Sequence, residues 1–193
     1  MTDLQDEAAT TYKNERILFT LGYSNRPFDQ FLTLLKVNRI DIIVDVRTIP
    51  KSRHRPEFNI DSLPVELEAA GISYVHMKGL GGLRKPLGNS VNSGWIDESF
   101  MGFADYMQTD QFRNALADLQ DLAGKNRVAI MCAEGNPFSC HRSLIADAML
   151  VRGYRVYEIT GGTRLSIHKL TSFAEVSGEN ITYGGKSDTL QRA

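Results

Sequence analysis

The chain has 193 residues, 42% of them hydrophobic and 23% charged, and a formal net charge of -1. That length suits one domain with its own core, and the near-neutral balance gives no bulk attraction to nucleic acid or an anionic membrane surface. No apolar run approaches the ~20 residues that span a bilayer, the polar start MTDLQDEAATTYKNER is unlike a secretory leader, and two cysteines make no disulfide framework. The expectation is a cytoplasmic protein with free thiols, no cofactor and no membrane partner, its oligomeric state open.

Residues 1–15 read as a flexible arm, residues 16–185 as a single α/β domain and residues 186–193 as a flexible tail. Ile17 to Leu21 is a short apolar run, a first strand, and Gly22 to Pro27 is turn chemistry. Phe28, Phe31, Leu32, Leu34 and Leu35 recur at helical spacing. Asp41 to Arg47 is rich in β-branched residues, as in a central parallel strand buried on both faces. The loop after it carries Arg47, Lys51, Arg53, His54 and Arg55 without an acid, and two prolines keep it from being a helix. A helix is predicted from Asp61–Pro64 to Ala70, closed by Gly71, then a strand over Ile72 to Met77. Lys78 to Trp95 holds five glycines and a proline and reads as a lid, a binding loop or a disordered stretch. Helices follow over Asp97–Gln108 and Asp110–Ala123, then a strand over Arg127–Met131, a helix over Cys140–Arg152 and a strand over Arg155–Thr160. From Thr163 the chain reads as a weakly patterned tail.

This alternation predicts a three-layer α/β fold, a mostly parallel sheet of about five strands with helices on both faces. Ligands of such sheets bind at the carboxyl ends of the strands. There the topology gathers Tyr23, Ser24, Asp45, Arg47, Arg53 and the run Cys132 to Ser143, with Arg84 on the same edge. Cys140, His141, Arg142 and Ser143 open the predicted helix, with Ser139 as its N-cap, so free N–H groups and the helix dipole favour an anion or a thiolate. Arg142 adds a planar cation suited to phosphate or carboxylate. Equally, Cys140 is a small buried residue and Arg142 pairs with Asp45 or Glu134. Cys132, Glu134, Cys140 and His141 make a catalytic inventory of nucleophile or redox thiol, acid or base, and proton carrier. Cys132 ends its strand where rhodaneses and cysteine phosphatases place a nucleophile, but nine residues separate it from Arg142 here, against about five there. Cys132, Cys140 and His141 are also candidate metal ligands at a spacing unusual for zinc, and no metal is assigned. Lys51, Arg53, Arg55, Arg84 and Lys85 could track a phosphate backbone, or simply form a solvated face.

Five stretches together resemble the DUF488 family of uncharacterised proteins. They are Thr20 to Asn25; Val44-Asp45-Val46-Arg47 with Pro50-x-Ser52-Arg53; Phe58-Asn59; Leu80-Gly81-Gly82-x-Arg84; and Cys132-Ala133-Glu134-x-x-Pro137-x-x-Cys140-His141-Arg142. The tail His168 to Ala174 matches as well. The family commonly has His where Tyr23 stands. The resemblance implies a single α/β domain and no established activity. The residues themselves lead to an enzyme acting on an anionic small molecule or nucleic acid. The alternatives are a non-catalytic binding module for the same ligands, and a thiol redox or metal switch.

Overall fold

The computed structural model describes residues 16–161 and 164–184; the expected arm and tail lie outside them. The strands are β1 (Ile17–Gly22), β2 (Ile42–Asp45), β3 (Ser73–His76), β4 (Val128–Cys132), β5 (Arg155–Gly161), β6 (Arg164–Ile167), β7 (Glu175–Ser177) and β8 (Asn180–Thr182). The helices are α1 (Phe28–Val37), α2 (Leu63–Ala69), α3 (Glu98–Tyr106), α4 (Asp110–Ala123) and α5 (Arg142–Val151). One sheet runs in the order β3-β2-β4-β1-β5-β6, parallel throughout except for the antiparallel β5–β6 pair, and β7–β8 is a separate hairpin. The expected parallel set of five is therefore present, and β6 is an added edge strand. It is short and carries Arg164 and Ser166, so it gives no apolar run to read.

Alternation along the strands divides the core into two layers. Leu18, Val44, Val128, Ile130 and Val156 face α3, α4 and α5, whereas Phe19, Leu21, Ile43, Ala129 and Met131 face α1 and α2. The chain leaves β1 toward β2 on one side and leaves β4 toward β5 on the other, although β1 and β4 are neighbours. That divergence opens a crevice at their carboxyl ends. Gly22 of β1 stands opposite Cys132 of β4.

Two expectations need correction. The helix after β4 begins at Arg142, not Cys140, and Ser139 does not cap it. Pro137–Ser139 forms a 3-10 turn capped by the Asn136 side chain; Cys140 is extended, and His141 takes the N-cap position without a side-chain capping bond to the helix. Proline sets that turn and delays the helix by two residues. The glycine-rich stretch 78–95 is pinned rather than loose. Buried Asp105 of α3 accepts from the Leu87 N–H (2.8 Å), the Ser90 hydroxyl (2.6 Å) and the Asn92 amide (2.8 Å). Tyr183 then donates its N–H to the Asn92 side chain, which ties the end of the described chain to this strap.

Among the described residues no helix is long and apolar enough to cross a membrane.

Candidate active site

Cys132 is the last residue of β4, and its side chain faces α5, as do Leu18, Thr20 and Gly22 on the neighbouring strand. The chain loops out through Glu134 and returns through the 3-10 turn, which sets Cys140 beside Cys132. Their sulfurs and a ring nitrogen of His141 all lie within 4.8 Å of one another. Both thiols are free.

Arg142 closes the cluster from beneath. It is 1% exposed, and it donates from Nε to the Cys140 sulfur (3.3 Å), from one terminal nitrogen to the Thr20 hydroxyl (2.6 Å) and from the other to the Glu134 carbonyl (2.6 Å). Among the described residues it makes no ion pair with a carboxylate. Burying a cation among neutral groups costs several kcal/mol unless a counter-charge is present. The group positioned to supply one is Cys140. A hydrogen bond from Cys132, joined by His141 and the Arg142 charge, outweighs burial and pulls the Cys140 thiol far below its ordinary range. The same contact with Cys140, together with burial, pushes the Cys132 thiol up. The two thiols are thus driven in opposite directions, Cys140 down and Cys132 up.

Gly22 makes this arrangement possible. A Cβ there would stand 1.7 Å from the Glu134 carbonyl oxygen and 2.9 Å from an Arg142 nitrogen, so only glycine lets the loop carbonyl and the guanidinium meet over β1. Gly82 does the same for His141, since a Cβ would fall 2.5 Å from Nδ1. The His141 ring packs edge-on against Phe103 (5.1 Å between centroids) and donates its Nε2–H to the Val46 carbonyl (3.0 Å). That bond fixes the tautomer and leaves Nδ1, 3.8 Å from the Cys140 sulfur, to exchange a proton. Two sulfurs and one imidazole nitrogen are a fair donor set for a thiophilic ion. The guanidinium on Cys140, however, already provides the positive charge that such an ion would bring.

A cavity of about 320 Å³ opens over these groups, lined by Tyr23, Arg47, Thr48, Ile49, Lys51, Gly82, Leu83, Glu134, Ser139 and the cysteine–histidine cluster, among others. Arg47 is committed inward. It binds Asp45 through two nitrogens and also donates to the Tyr23 hydroxyl and the Phe58 carbonyl. Burial would lower its pKa, but Asp45 and Tyr23 more than reverse this and hold it protonated. Asp45, fully buried, also accepts from the Tyr74 hydroxyl. Tyr23 stacks on Phe58 at 4.1 Å.

Other predicted site residues stand elsewhere. Arg84 lies over the Tyr106 ring at 3.6 Å and donates to the Gly81 carbonyl. Ser143 donates its hydroxyl to the Cys140 carbonyl. Ser24 and Arg53 are exposed and do not line the cavity. Glu134 lies exposed at the mouth, its carboxylate in no ion pair among the described residues. Thr20, Gly22 and Gly82 lie in the stretches that resemble the family, but no role in the site was predicted for them. The first is hidden in an apolar strand, and a glycine's need for space shows only against its neighbours.

No curated protein and no solved structure matches the chain. The family model for DUF488, a domain of unknown function, matches residues 27–149. That span is well over half of the chain and includes both cysteines, His141 and Arg142, and the chain belongs to the DUF488 family.

Proposed function

We propose that the cavity is the active site of a thiol enzyme in which Cys140, held as a thiolate, attacks an electrophilic atom of a small anionic substrate. The observation that supports this reading is the buried Arg142 guanidinium, paired with the Cys140 sulfur at 3.3 Å and with no carboxylate among the described residues. A thiolate is the nucleophilic form of cysteine, and an adjacent cation is a standard means of populating it. His141, held by Val46, carries a proton to or from the leaving group through Nδ1. Glu134 is a second acid or base at the mouth. Lys51, exposed on the cavity wall, meets the substrate's negative charge. Arg47 and Arg142 act within the protein, one bracing Asp45 and the other poising Cys140. The test is site-resolved alkylation of the full chain with iodoacetamide across pH. Cys140 should react with a midpoint well below the ordinary thiol range of about 8.5, and Cys132 far more slowly. Two ordinary thiols, or a protein that holds stoichiometric zinc and resists alkylation until it is chelated, would contradict the reading.

A further inference from the structure

We infer that Cys132 is the resolving thiol of a dithiol–disulfide couple, and that the substrate class is a small anionic disulfide. This rests on the thiolate reading of Cys140. A site that only forms a covalent adduct and hydrolyses it needs one sulfur. Here the only two cysteines of the chain meet in one cavity, both on its wall. Their sulfurs lie within 4.8 Å of one another and are drawn from a strand end and a loop eight residues on. β4 fixes Cys132, whereas the segment that carries Cys140 runs through exposed Glu134, Asn136, Phe138 and Ser139, with Pro137 the one buried residue between Glu134 and Cys140. That segment can close the remaining gap between the sulfurs.

The chemistry balances without any further reagent. The Cys140 thiolate attacks one sulfur of the substrate, RS–SR′. A Cys140–SR bond forms, the S–S bond of the substrate breaks, and R′S⁻ leaves. Cys132 then gives its proton to Nδ1 of His141 and attacks the Cys140 sulfur. The protein disulfide forms, RS⁻ leaves, and His141 passes it the proton. The substrate gains two electrons and becomes RSH and R′S⁻; the protein loses two. Excess low-molecular-weight thiol reverses both steps and resets the site. The order of attack follows from the geometry, because Arg142 donates to the Cys140 sulfur at 3.3 Å and Nδ1 of His141 lies 3.8 Å from it.

Glutathione disulfide is a suitable probe, since it carries carboxylates and a reactive sulfur pair. The full chain would be incubated with it, quenched with acid and weighed intact. Wild type should lose two hydrogens and carry no glutathionyl group, and Cys132→Ser should carry one, on Cys140. A stable adduct on wild type would overturn the resolving role of Cys132 while leaving the thiolate intact. So would no oxidation at all while iodoacetamide still labels Cys140 readily at neutral pH. Slow labelling of Cys140 in the same wild-type sample would instead overturn the thiolate reading beneath it. Both readouts come from wild type, so they stand even where the variant folds poorly.

Discussion

Replacing Arg142 with Met removes the charge from the Cys140 sulfur while keeping most of the buried volume. Two unit charges at the observed 3.3 Å attract by about 5 kcal/mol at an effective dielectric near 20. Cys132 remains beside the thiolate, and water enters from the cavity, so roughly half of that should be lost. At about 1.4 kcal/mol per pKa unit, the Cys140 midpoint should rise by about 1.5–2 units. The assay is the pH profile of iodoacetamide labelling, read at the Cys140 peptide by mass spectrometry. The midpoint is the quantity to compare, because intrinsic nucleophilicity changes in the opposite direction as the pKa rises. Arg142→Lys separates charge from shape, and it should restore part of the shift without the fork to Thr20 and Glu134. An Arg142→Met midpoint equal to that of wild type, in a folded protein, would refute the claim that this guanidinium poises the thiolate.

Four further outcomes follow from the same geometry. Gly22→Ala forces a Cβ into the Glu134 carbonyl and should cost about 3 kcal/mol in urea denaturation while raising the Cys140 midpoint; a neutral result would mean that the loop yields freely. Gly82→Ala should displace the His141 ring and alter the labelling profile, with a urea midpoint within ~1 kcal/mol of wild type; an unchanged profile would remove His141 from the proton path. His168 is buried between Asp147 (2.8 Å) and Glu158 (2.8 Å), and although burial opposes its charge, these carboxylates raise its pKa to about 9. Its folded pKa lies above the unfolded value, so its stabilisation, on the order of 2–3 kcal/mol, is fully present below about pH 6.5 and fades as pH rises through 9; urea midpoints that do not fall over that window would contradict it. Asp147→Ala strips partners from His168, Thr171 and Tyr183 together and should cost about 3–5 kcal/mol; a loss under ~1 kcal/mol would show that the C-terminal segment is not held there.

The architecture was legible wherever apolar periodicity was strong. β1, β2, β4 and α4 stand within a residue or two of their expected places, apart from the two residues after Asp45 that leave β2, because Ile17–Leu21 and Ile42–Val46 are apolar except for Thr20 and Asp45, Val128–Met131 is apolar throughout, and Phe112, Leu116 and Leu119 mark one helical stripe. β6, β7 and β8 were not legible. They are short and largely polar, and they are defined by pairing rather than by burial. The cluster of Cys132, Cys140, His141 and Arg142 could be read as chemistry from spacing alone. Its electrostatics could not, since they depend on which acceptors Arg142 finds. Asp45 and Glu134 both stood as candidate partners, yet Asp45 is taken by Arg47 and Glu134 offers its backbone carbonyl. The His168 network was equally hidden, because Asp147, Glu158 and Tyr183 come from α5, β5 and the segment after β8.

The most direct measurement is an ultraviolet titration of thiolate absorbance on the native full chain, with Cys140→Ser as the control. One thiolate should persist below about pH 6, well under the ordinary thiol range, and vanish in the variant. Two thiols that both titrate near pH 8.5, or a low-pH thiolate that survives in Cys140→Ser, would contradict the account.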